Sequence, residues 1–367
     1  MDVGYGEEPD GLPCVRLQLT TNPGFEDLAL DELRIRAEAA GRSVLSHTLR
    51  PFGLAGHLSV YLAATWEPLR PVLLELRSVH RVIRVLDQFP LHPDDPLGDI
   101  RRRVAAHANT IPELAPEHVS FRVTSSRTGT HGFTSEEVAR DAGAGVRDVL
   151  PRAVSLKAFD VEIRCDVRDR VVVLGVQQRR LAHRSHGPYS QRTSLRANVA
   201  WCLLQLARPD APPTVLLDPC CGAGTILVEA GRRWPEVQLR GGDRLERATE
   251  GTAGNLAAAG LLDRAVLHTA DARTPGAHGP PGTVDTVVVN PPFGKRLGRT
   301  LNLEVFYRAL LLAASQVATA DARMVVVVQR RGAFNRALGA DVGWRIHHVR
   351  VVELGGLYVG VFVLERG

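Results

Sequence analysis

The N-terminal part of the chain alternates between two spacings of apolar residues. Four segments have the two-residue period and the β-branched residues of strands, and two have the 3.6-residue period of helices. The predicted strands cover residues 14–21, 43–50, 56–64 and 81–89, and the predicted helices cover residues 24–41 and 66–78. This β-α-β-β-α-β order is that of a ferredoxin-like fold. We expect that domain to occupy residues 14–95, after a flexible tail at residues 1–13.

A second α/β unit is predicted over residues 96–182. Its expected elements are a helix at 96–108, a strand running into a polar loop at 119–133, a helix at 135–150 and a hairpin around Arg168 and Asp169. Thr134 and Glu137 have the T-x-x-E spacing of a capping box, which predicts where the second of these helices begins. A linker with one helix, at residues 183–212, ends in a group of prolines.

From residue 213 to residue 367 the pattern changes to strict alternation of strands and helices. Four predicted strands end at Asp218, Asp243, Ala270 and Asn290, and a fifth covers residues 323–329. This alternation predicts βα units in a parallel sheet. The chain then finishes with a hairpin that turns at Gly355 and Gly356. A Rossmann-like parallel sheet closed by an antiparallel hairpin is typical of class I methyltransferases.

A glycine-rich turn follows the first strand of this C-terminal domain, in "VLLDPCCGAGTILVEA". Gly222 and Gly224 have no Cβ atoms, so a ligand can approach the backbone and the N-terminus of the next helix. A nucleotide P-loop would require Gly-Lys-Ser/Thr, which is absent. A dinucleotide fingerprint would require Gly or Ala at position 227, where Leu stands. The third interpretation of this turn is an S-adenosylmethionine site.

Acidic residues at successive strand ends favour S-adenosylmethionine. Asp218 ends the first strand, where a carboxylate would lie beside the cationic sulfonium and amino group of the cofactor. Asp243 ends the second strand, where it can accept both ribose hydroxyls, and Asp271 follows the third, where it can accept from the adenine amino group. Asp218 and Asp271 would otherwise be ordinary helix caps. The ordered set in one sheet favours the cofactor site.

The fourth strand ends in "VVVNPPFG", which is unusual at the end of a buried strand. Neither proline can donate to a sheet or continue a helix. The side-chain amide of Asn290 and a backbone carbonyl of this segment can bind the two hydrogens of an exocyclic amino group. Phe293 can stack on the base that bears it. Although Asn-Pro-Pro is also an ordinary turn, its position after the glycine-rich turn predicts an amino-methylation site.

Composition and charge narrow the expected partners. The formal net charge of +5 and the isoelectric point near 9.2 favour an anionic partner, and nearly all the basic side chains are arginine. The five cysteines show no zinc spacing, and His183 and His186 have no further ligands near them in sequence, so we expect no metal. The N-terminus does not resemble a signal peptide, and no apolar run reaches membrane-spanning length. We expect a soluble, cytoplasmic monomer without a membrane partner.

These motifs resemble those of a known family. "DPCCGAGTILVEA" and "NPPFG", with an N-terminal α/β pair, are similar to the THUMP-domain RNA methyltransferases that make N2-methylguanosine, chiefly in tRNA. The opening "TTNPGFEDLALDEL" and the segment "SFRVTSSRTGTHGFTSEEVARDAG" are also similar, so the likeness covers nearly the whole chain. "SLKAFDVEI" departs from the family, which usually shows Asn-Pro-Asp in place of Ala-Phe-Asp. The resemblance implies a THUMP RNA-binding domain at residues 96–182 and tRNA as the partner.

The resemblance also implies roles for individual residues. The cofactor site is expected to contain Asp218, Pro219, Cys220, Gly222, Gly224, Thr225, Asp243, Asp271, Ala272 and Asn290. The target guanine is expected to lie against Asn290, Pro291, Pro292 and Phe293. A THUMP domain of this kind grips the 3′ end of tRNA and delivers a flipped-out base to the catalytic domain. The candidate RNA contacts are Arg122, Arg127, His131, Arg180, Arg184, Lys295 and Arg296.

Other functions remain open from the sequence. The same chemistry on ribosomal RNA is the nearest alternative, and methylation of adenine N6 in a nucleic acid is another, because Asn-Pro-Pro-aromatic also suits that amine. A non-catalytic RNA-binding protein with a vestigial methyltransferase fold belongs to a different class. A small accessory subunit stays open as a partner.

Overall fold

A computed structural model describes residues 13–178, 187–191, 194–208, 211–292 and 302–367. The described residues form two compact units. The first contains the residues up to Thr21 and those from Ala29 to Gln178. The second contains residues 22–28 and the described residues from 187 onward. The division into domains at residues 14–95, 96–182 and 213–367, expected from the sequence, stays a prediction.

The first unit is an α/β structure built on one mixed sheet. Its described strands are β1 (Cys14–Thr20), β2 (Ser43–Leu49), β3 (His57–Ala63), β4 (Arg81–Pro90), β5 (Ser120–Thr124), β6 (Arg127–Thr128), β7 (Ala153–Val154), β8 (Val161–Arg168) and β9 (Val171–Gln177). Its helices are α1 (Glu26–Ala39), whose first turn belongs to the second unit, α2 (Trp66–Leu74), α3 (Pro96–Ala108) and α4 (Ser135–Val149). The strand order is β2-β3-β1-β4-β9-β8-β5-β7, and β6 pairs with β8.

The first four strands confirm the ferredoxin-like prediction. They pair antiparallel in the order β2-β3-β1-β4, which is the order of that fold. Within this first unit, the sheet continues into the α/β segment predicted at residues 96–182, because β4 pairs antiparallel with β9. Each half has its own apolar core, one around Leu17, Leu19 and Leu58 and the other around Phe121 and Ile163.

Two helix boundaries show how side chains decide local structure. The capping box predicted at Thr134 is present, because its hydroxyl accepts from the Glu137 N–H while the Glu137 carboxylate accepts from the Thr134 N–H. The helix predicted at 66–78 is shorter and ends at Leu74. The buried carboxylate of Glu32 accepts from the N–H groups of Arg77 and Ser78, which fixes these residues outside the helix.

The second unit is a seven-stranded sheet with helices on both faces. Its described strands are β10 (Val215–Asp218), β11 (Gln238–Asp243), β12 (Ala265–Thr269), β13 (Val284–Val289), β14 (Ala318–Val328), β15 (Trp344–Leu354) and β16 (Leu357–Arg366). Its helices are α5 (Ala197–Ala207), α6 (Thr225–Arg233), α7 (Glu246–Ala258), α8 (Leu303–Val317) and α9 (Arg331–Ala337). The order is β12-β11-β10-β13-β14-β16-β15.

The pairing in this sheet confirms the Rossmann-like prediction with a terminal hairpin. The strands from β12 to β14 are parallel, and β16 joins β14 antiparallel before pairing with β15. One face packs on α5, α6 and α7, and the other packs on α8 and α9. Residues 22–28 complete the first face, because Phe25 and Leu28 are buried in its core. The sequence pattern did not reveal that this N-terminal segment belongs to the second unit.

Candidate active site

The predicted cofactor residues and Asn290 meet at one edge of the second unit's sheet. Because the strands from β12 to β13 are parallel, their carboxyl ends lie side by side. Asp218 is level with Gly241 of β11, and Leu217 is level with Val287 of β13. Asp243 and Asn290 are therefore about equally far along the sheet, on the two sides of β10. Strands β11 and β13 are two strand spacings, about 10 Å, apart, which leaves room for a ligand over β10.

The turn between β10 and α6 depends on its two glycines. Gly222 has φ +58° and Gly224 has φ +74°, a left-handed conformation that favours glycine. A Cβ at Gly224 would also lie 2.8 Å from Cγ2 of Thr252 in α7. The Thr252 hydroxyl donates to the Gly222 carbonyl over 3.1 Å. The turn is thus held close to α7, with the buried first residue of α6, Thr225, directly behind it.

Asp218 is a buried acid at the base of this turn. Its side chain is 2% exposed, and Oδ1 accepts from the Cys220 N–H over 3.1 Å. Burial, followed by the nearby Asp243 carboxylate, raises the pKa of Asp218 to about 8. The intervening Pro219 is also buried. A cationic ligand beside this carboxyl group would stabilise its ionised form, and the proton would be released to solvent, which fits the sulfonium and amino groups expected there.

Asp243 links two backbone segments through its carboxylate. Oδ2 accepts from the Gly222 N–H over 3.1 Å, and Oδ1 accepts from the Leu245 N–H over 3.0 Å. Each carboxylate oxygen has a further lone pair. The side chain can therefore hold the glycine-rich turn in place and still accept the two ribose hydroxyls of a cofactor.

Asp271 has a partner that the sequence did not indicate. Its two oxygens accept from the guanidinium of Arg273 over 2.9 and 2.6 Å, and this pairing lowers the pKa of Asp271 to about 2. The Arg273 guanidinium also lies 5.8 Å from the centre of the Phe306 ring. Ala272, between them, is buried. Asp271 keeps its place at the predicted edge, but an adenine amino group would have to share its oxygens with Arg273.

Asn290 follows β13 directly, and its side-chain oxygen is the most informative atom of the site. That oxygen is shielded from solvent and has no hydrogen-bond partner among the residues that the structure describes. A buried polar atom without a partner is costly, so a ligand that donates a hydrogen bond would relieve that cost. Pro291 is buried and Pro292 is exposed. Phe293, Lys295, Arg296, Arg180 and Arg184 lie outside the described residues.

Two further residues near the glycine-rich turn were missed by the sequence analysis. The first is Asn255 of α7, which is fully buried. Its side-chain oxygen accepts from the Tyr189 N–H, and its NH₂ donates to the carbonyls of Tyr189 and Ala223. This one amide therefore joins α7, the turn and residues 187–191. An asparagine in mid-helix has no sequence signal that separates it from a surface residue.

The second missed residue is His278, in the segment between β12 and β13. It is 2% exposed, and no described residue forms a hydrogen bond with either ring nitrogen. A Cβ at Gly242, in β11, would lie 2.6 Å from its ring, so the imidazole lies beside the carboxyl end of that strand. Burial, and then the nearby His268, lowers the pKa of His278 and keeps the ring neutral. A single histidine in a glycine- and proline-rich loop gives no pattern from which to predict this.

The candidate RNA contacts of the first unit have partners within that unit. The Arg122 guanidinium pairs with Glu162 over 2.8 Å and lies 3.8 Å from the centre of the Phe159 ring. Arg127 shares a 2.9 Å hydrogen bond with His131. The other ring nitrogen of His131 is 2.6 Å from the Asp169 carbonyl. These bonds hold the three side chains in place. Any contact with RNA would therefore use N–H groups of these side chains that the bonds do not occupy.

The described ranges contain neither a candidate membrane span nor a candidate metal site. No helix there is long and apolar enough to cross a membrane. No group of three or more His, Cys, Asp or Glu side chains there is arranged to hold a metal ion. None of the five cysteines, all of which are described, forms a disulfide, and burial raises the pKa of Cys221, in the turn, to about 12.

The described side chains fit S-adenosylmethionine. The fit rests on a turn with two left-handed glycines, a buried acid beneath it and a carboxylate with further lone pairs at the ribose position. Opposite lies the buried amide oxygen of Asn290, which has no partner within the described ranges. The arrangement therefore offers one place for a cationic nucleoside and a second, at Asn290, for a group with N–H donors.

Two family models match the chain. The THUMP domain matches residues 104–177, and the RMKL-like methyltransferase domain matches residues 184–360. The first match lies within the first unit, and the second covers most of the second unit.

Relatives along most of the chain agree with these matches. The tRNA (guanine(6)-N2)-methyltransferase of Thermus thermophilus is 36% identical over 353 residues, which are 95% of this chain and 99% of that protein. The human tRNA (guanine(6)-N(2))-methyltransferase THUMP3 is 33% identical over 269 residues, 69% of this chain and 52% of that protein. The crystal structure of TrmN from Thermus thermophilus matches with a TM-score of 0.80 and 33% identity, over 96% of this chain and 100% of that one.

The chain belongs to the THUMP-domain class I RNA methyltransferase family, of the tRNA guanine-N2 methyltransferase type. The resemblance seen in the sequence motifs is thereby confirmed.

Proposed function

We propose that the protein methylates the exocyclic N2 amino group of guanosine 6 in tRNA, with S-adenosylmethionine as the methyl donor. The reaction and the position are those in the names of the relatives from Thermus thermophilus and human. The chain's own contribution is the edge that contains Asp218, Asp243 and Asn290. The first unit, which includes the THUMP match, is proposed to bind the RNA.

The single observation that supports this chemistry most strongly is the buried oxygen of Asn290, which no described residue binds. The lone pair of an exocyclic amine is delocalised into the base, so the nitrogen must be oriented for methyl transfer. Two acceptors do this by binding its two hydrogens. The Asn290 oxygen is one, and a backbone carbonyl of the Asn-Pro segment is the other. S-adenosylmethionine supplies the electrophilic methyl group when it is bound.

Product analysis tests the proposal directly. Purified protein is incubated with S-adenosylmethionine and an unmodified tRNA transcript that has guanosine at position 6, and the nucleosides are identified by mass spectrometry. We expect N2-methylguanosine, and its loss when adenosine replaces guanosine 6. N6-methyladenosine in the second transcript would instead support the adenine alternative. Cofactor binding without any product from tRNA or ribosomal RNA would support the non-catalytic one.

Cofactor binding is expected to release a proton from Asp218. Its pKa of about 8 means that the carboxyl group is mostly protonated at pH 7 without ligand. Cationic groups of the cofactor favour the carboxylate, so binding should release close to one proton at pH 7 and none well above pH 8. The affinity due to this group should therefore rise with pH up to about 8. Titration calorimetry at pH 7, in buffers of different ionisation enthalpy, measures the proton count.

Asp218→Asn is the matched control for this effect, because it keeps the shape of the side chain and cannot titrate. The wild-type protein should release about one proton more than the variant. Equal proton release by the two proteins would contradict the assignment of Asp218 to the cationic part of the cofactor.

A further inference from the structure

A cavity of about 700 Å³ lies at the same sheet edge as Asn290. Its walls come from the start of α8 and from the segment that leads from β14 into α9. The described lining residues are Asn302, Leu303, Glu304, Gln329, Arg330, Arg331, Gly332, Ala333 and Arg336. The motifs and the cofactor site described above use none of them.

The register of the sheet places this cavity next to the reaction centre. Val289 of β13 is level with Val326 of β14, and the two strands are parallel neighbours. Asn290 is one residue beyond the first of these, and Gln329 is three residues beyond the second. The cavity therefore opens at the carboxyl end of β14, one strand away from Asn290 and on the side opposite the cofactor turn.

The charge of the cavity is positive. Arg336 pairs with Glu304 over 2.6 Å. Arg330 and Arg331 have no carboxylate partner in the part of the chain that the structure describes. Gly360 makes room for the stem of Arg331, since a Cβ there would lie 3.0 Å from its Cγ. Two guanidinium groups are thus available to a ligand, and the stem of one of them is fixed by packing.

We propose that this cavity binds the phosphodiester groups of the RNA strand next to the methylated guanosine, through Arg330 and Arg331. The proposal rests on the proposed function, because that function places the target base at Asn290. A base drawn out of its helix brings its flanking phosphates to the adjacent surface. Guanidinium groups bind phosphate oxygens in pairs. The described lining contains no aromatic ring on which a base could stack, so the backbone fits this cavity better than a second base does.

Direct RNA binding tests the proposal independently of catalysis. A fluorescent tRNA transcript is titrated with wild-type protein and with the double variant Arg330→Gln/Arg331→Gln at several salt concentrations. We expect the Kd at about 0.1 M salt to rise roughly tenfold or more, and the slope of log Kd against log salt to fall by about 1.4, for two single-strand phosphate contacts. The Kd for S-adenosylmethionine should not change, which shows that the variant is folded.

The control variant is Arg232→Gln/Arg345→Gln, which removes two charges at the opposite edge of the same sheet. Its Kd for tRNA should change less than about twofold. Wild-type affinity and slope in the Arg330/Arg331 variant, or an equal loss in the control, would overturn the proposal. If wild-type protein binds tRNA and makes no N2-methylguanosine, the proposed function is wrong. The change in salt slope in the Arg330/Arg331 variant would still show whether the cavity binds RNA phosphates. No binding of tRNA by wild-type protein would overturn both.

Cross-linking locates the contact. A photoreactive p-benzoyl-phenylalanine replaces Gly332, where a Cβ has its nearest neighbour, the Arg336 Nη1, at an ordinary 3.6 Å. Primer extension on irradiated complexes should map the cross-link to the nucleotides that flank guanosine 6. A cross-link confined to other parts of the tRNA would overturn the proposal.

Discussion

Replacing Asn290 with alanine is expected to lower kcat for tRNA methylation by roughly 100- to 1,000-fold. Losing one oriented hydrogen bond at a reacting group has an effect of this size in other enzymes. The Asn290 oxygen has no partner in the described part of the chain, so its removal breaks no hydrogen bond of that oxygen there. We therefore expect unfolding temperature to stay close to that of the wild-type protein and cofactor Kd to rise less than tenfold. Single-turnover methylation, thermal unfolding and cofactor titration measure these three quantities.

Asn109→Ala is the matched control for this prediction. Asn109 is an exposed asparagine after α3 in the first unit, and its replacement should leave the methylation rate unchanged. If Asn290→Ala kept more than about a tenth of the wild-type rate, the Asn-Pro-Pro segment would not be what orients the amine. A rate loss that merely follows a loss of cofactor binding would assign Asn290 to the cofactor alone.

Asp243→Ala should have the largest effect on cofactor affinity, raising the Kd for S-adenosylmethionine by at least about 100-fold. Hydrogen bonds to a charged group contribute about 1.5–3 kcal/mol each, so the loss of two ribose contacts reaches this value. The substitution also leaves the Gly222 and Leu245 N–H groups without their acceptor. The glycine-rich turn would then be less well ordered before the cofactor arrives. Equilibrium binding with purified protein measures the effect.

Two companion variants separate these contributions. Asp243→Asn keeps one acceptor oxygen. Its thermal stability and its affinity for the cofactor should therefore lie between those of Asp243→Ala and those of the wild-type protein. Asp263→Ala removes an exposed acid elsewhere in the second unit and should change neither quantity. A Kd within about threefold of wild type in Asp243→Ala would remove this residue from the ribose position.

The opening β-α-β-β-α-β pattern, the alternation after residue 213 and the final glycine hairpin were readable from the sequence. Each depends on the period of apolar residues and on turn-forming residues, both of which are local properties. The structure confirms the resulting sheet orders. The helix predicted to reach residue 78 was wrong at its end, because a carboxylate from a distant helix, Glu32, binds the backbone there.

The features of the site also divide into those that the sequence predicted and those that only the structure showed. The sequence by itself determined that Asp218, Asp243 and Asn290 end neighbouring strands, because parallel strands bring their carboxyl ends to one edge. Only the tertiary structure decided that the Arg273 guanidinium binds the Asp271 carboxylate and that Asn255 joins three segments. It alone also decided that Arg330 and Arg331 line a cavity beside Asn290. It also decided that residues 22–28 complete the second unit. The physical reason is that these features are contacts between residues far apart in the chain, and such contacts follow from packing rather than from any local period.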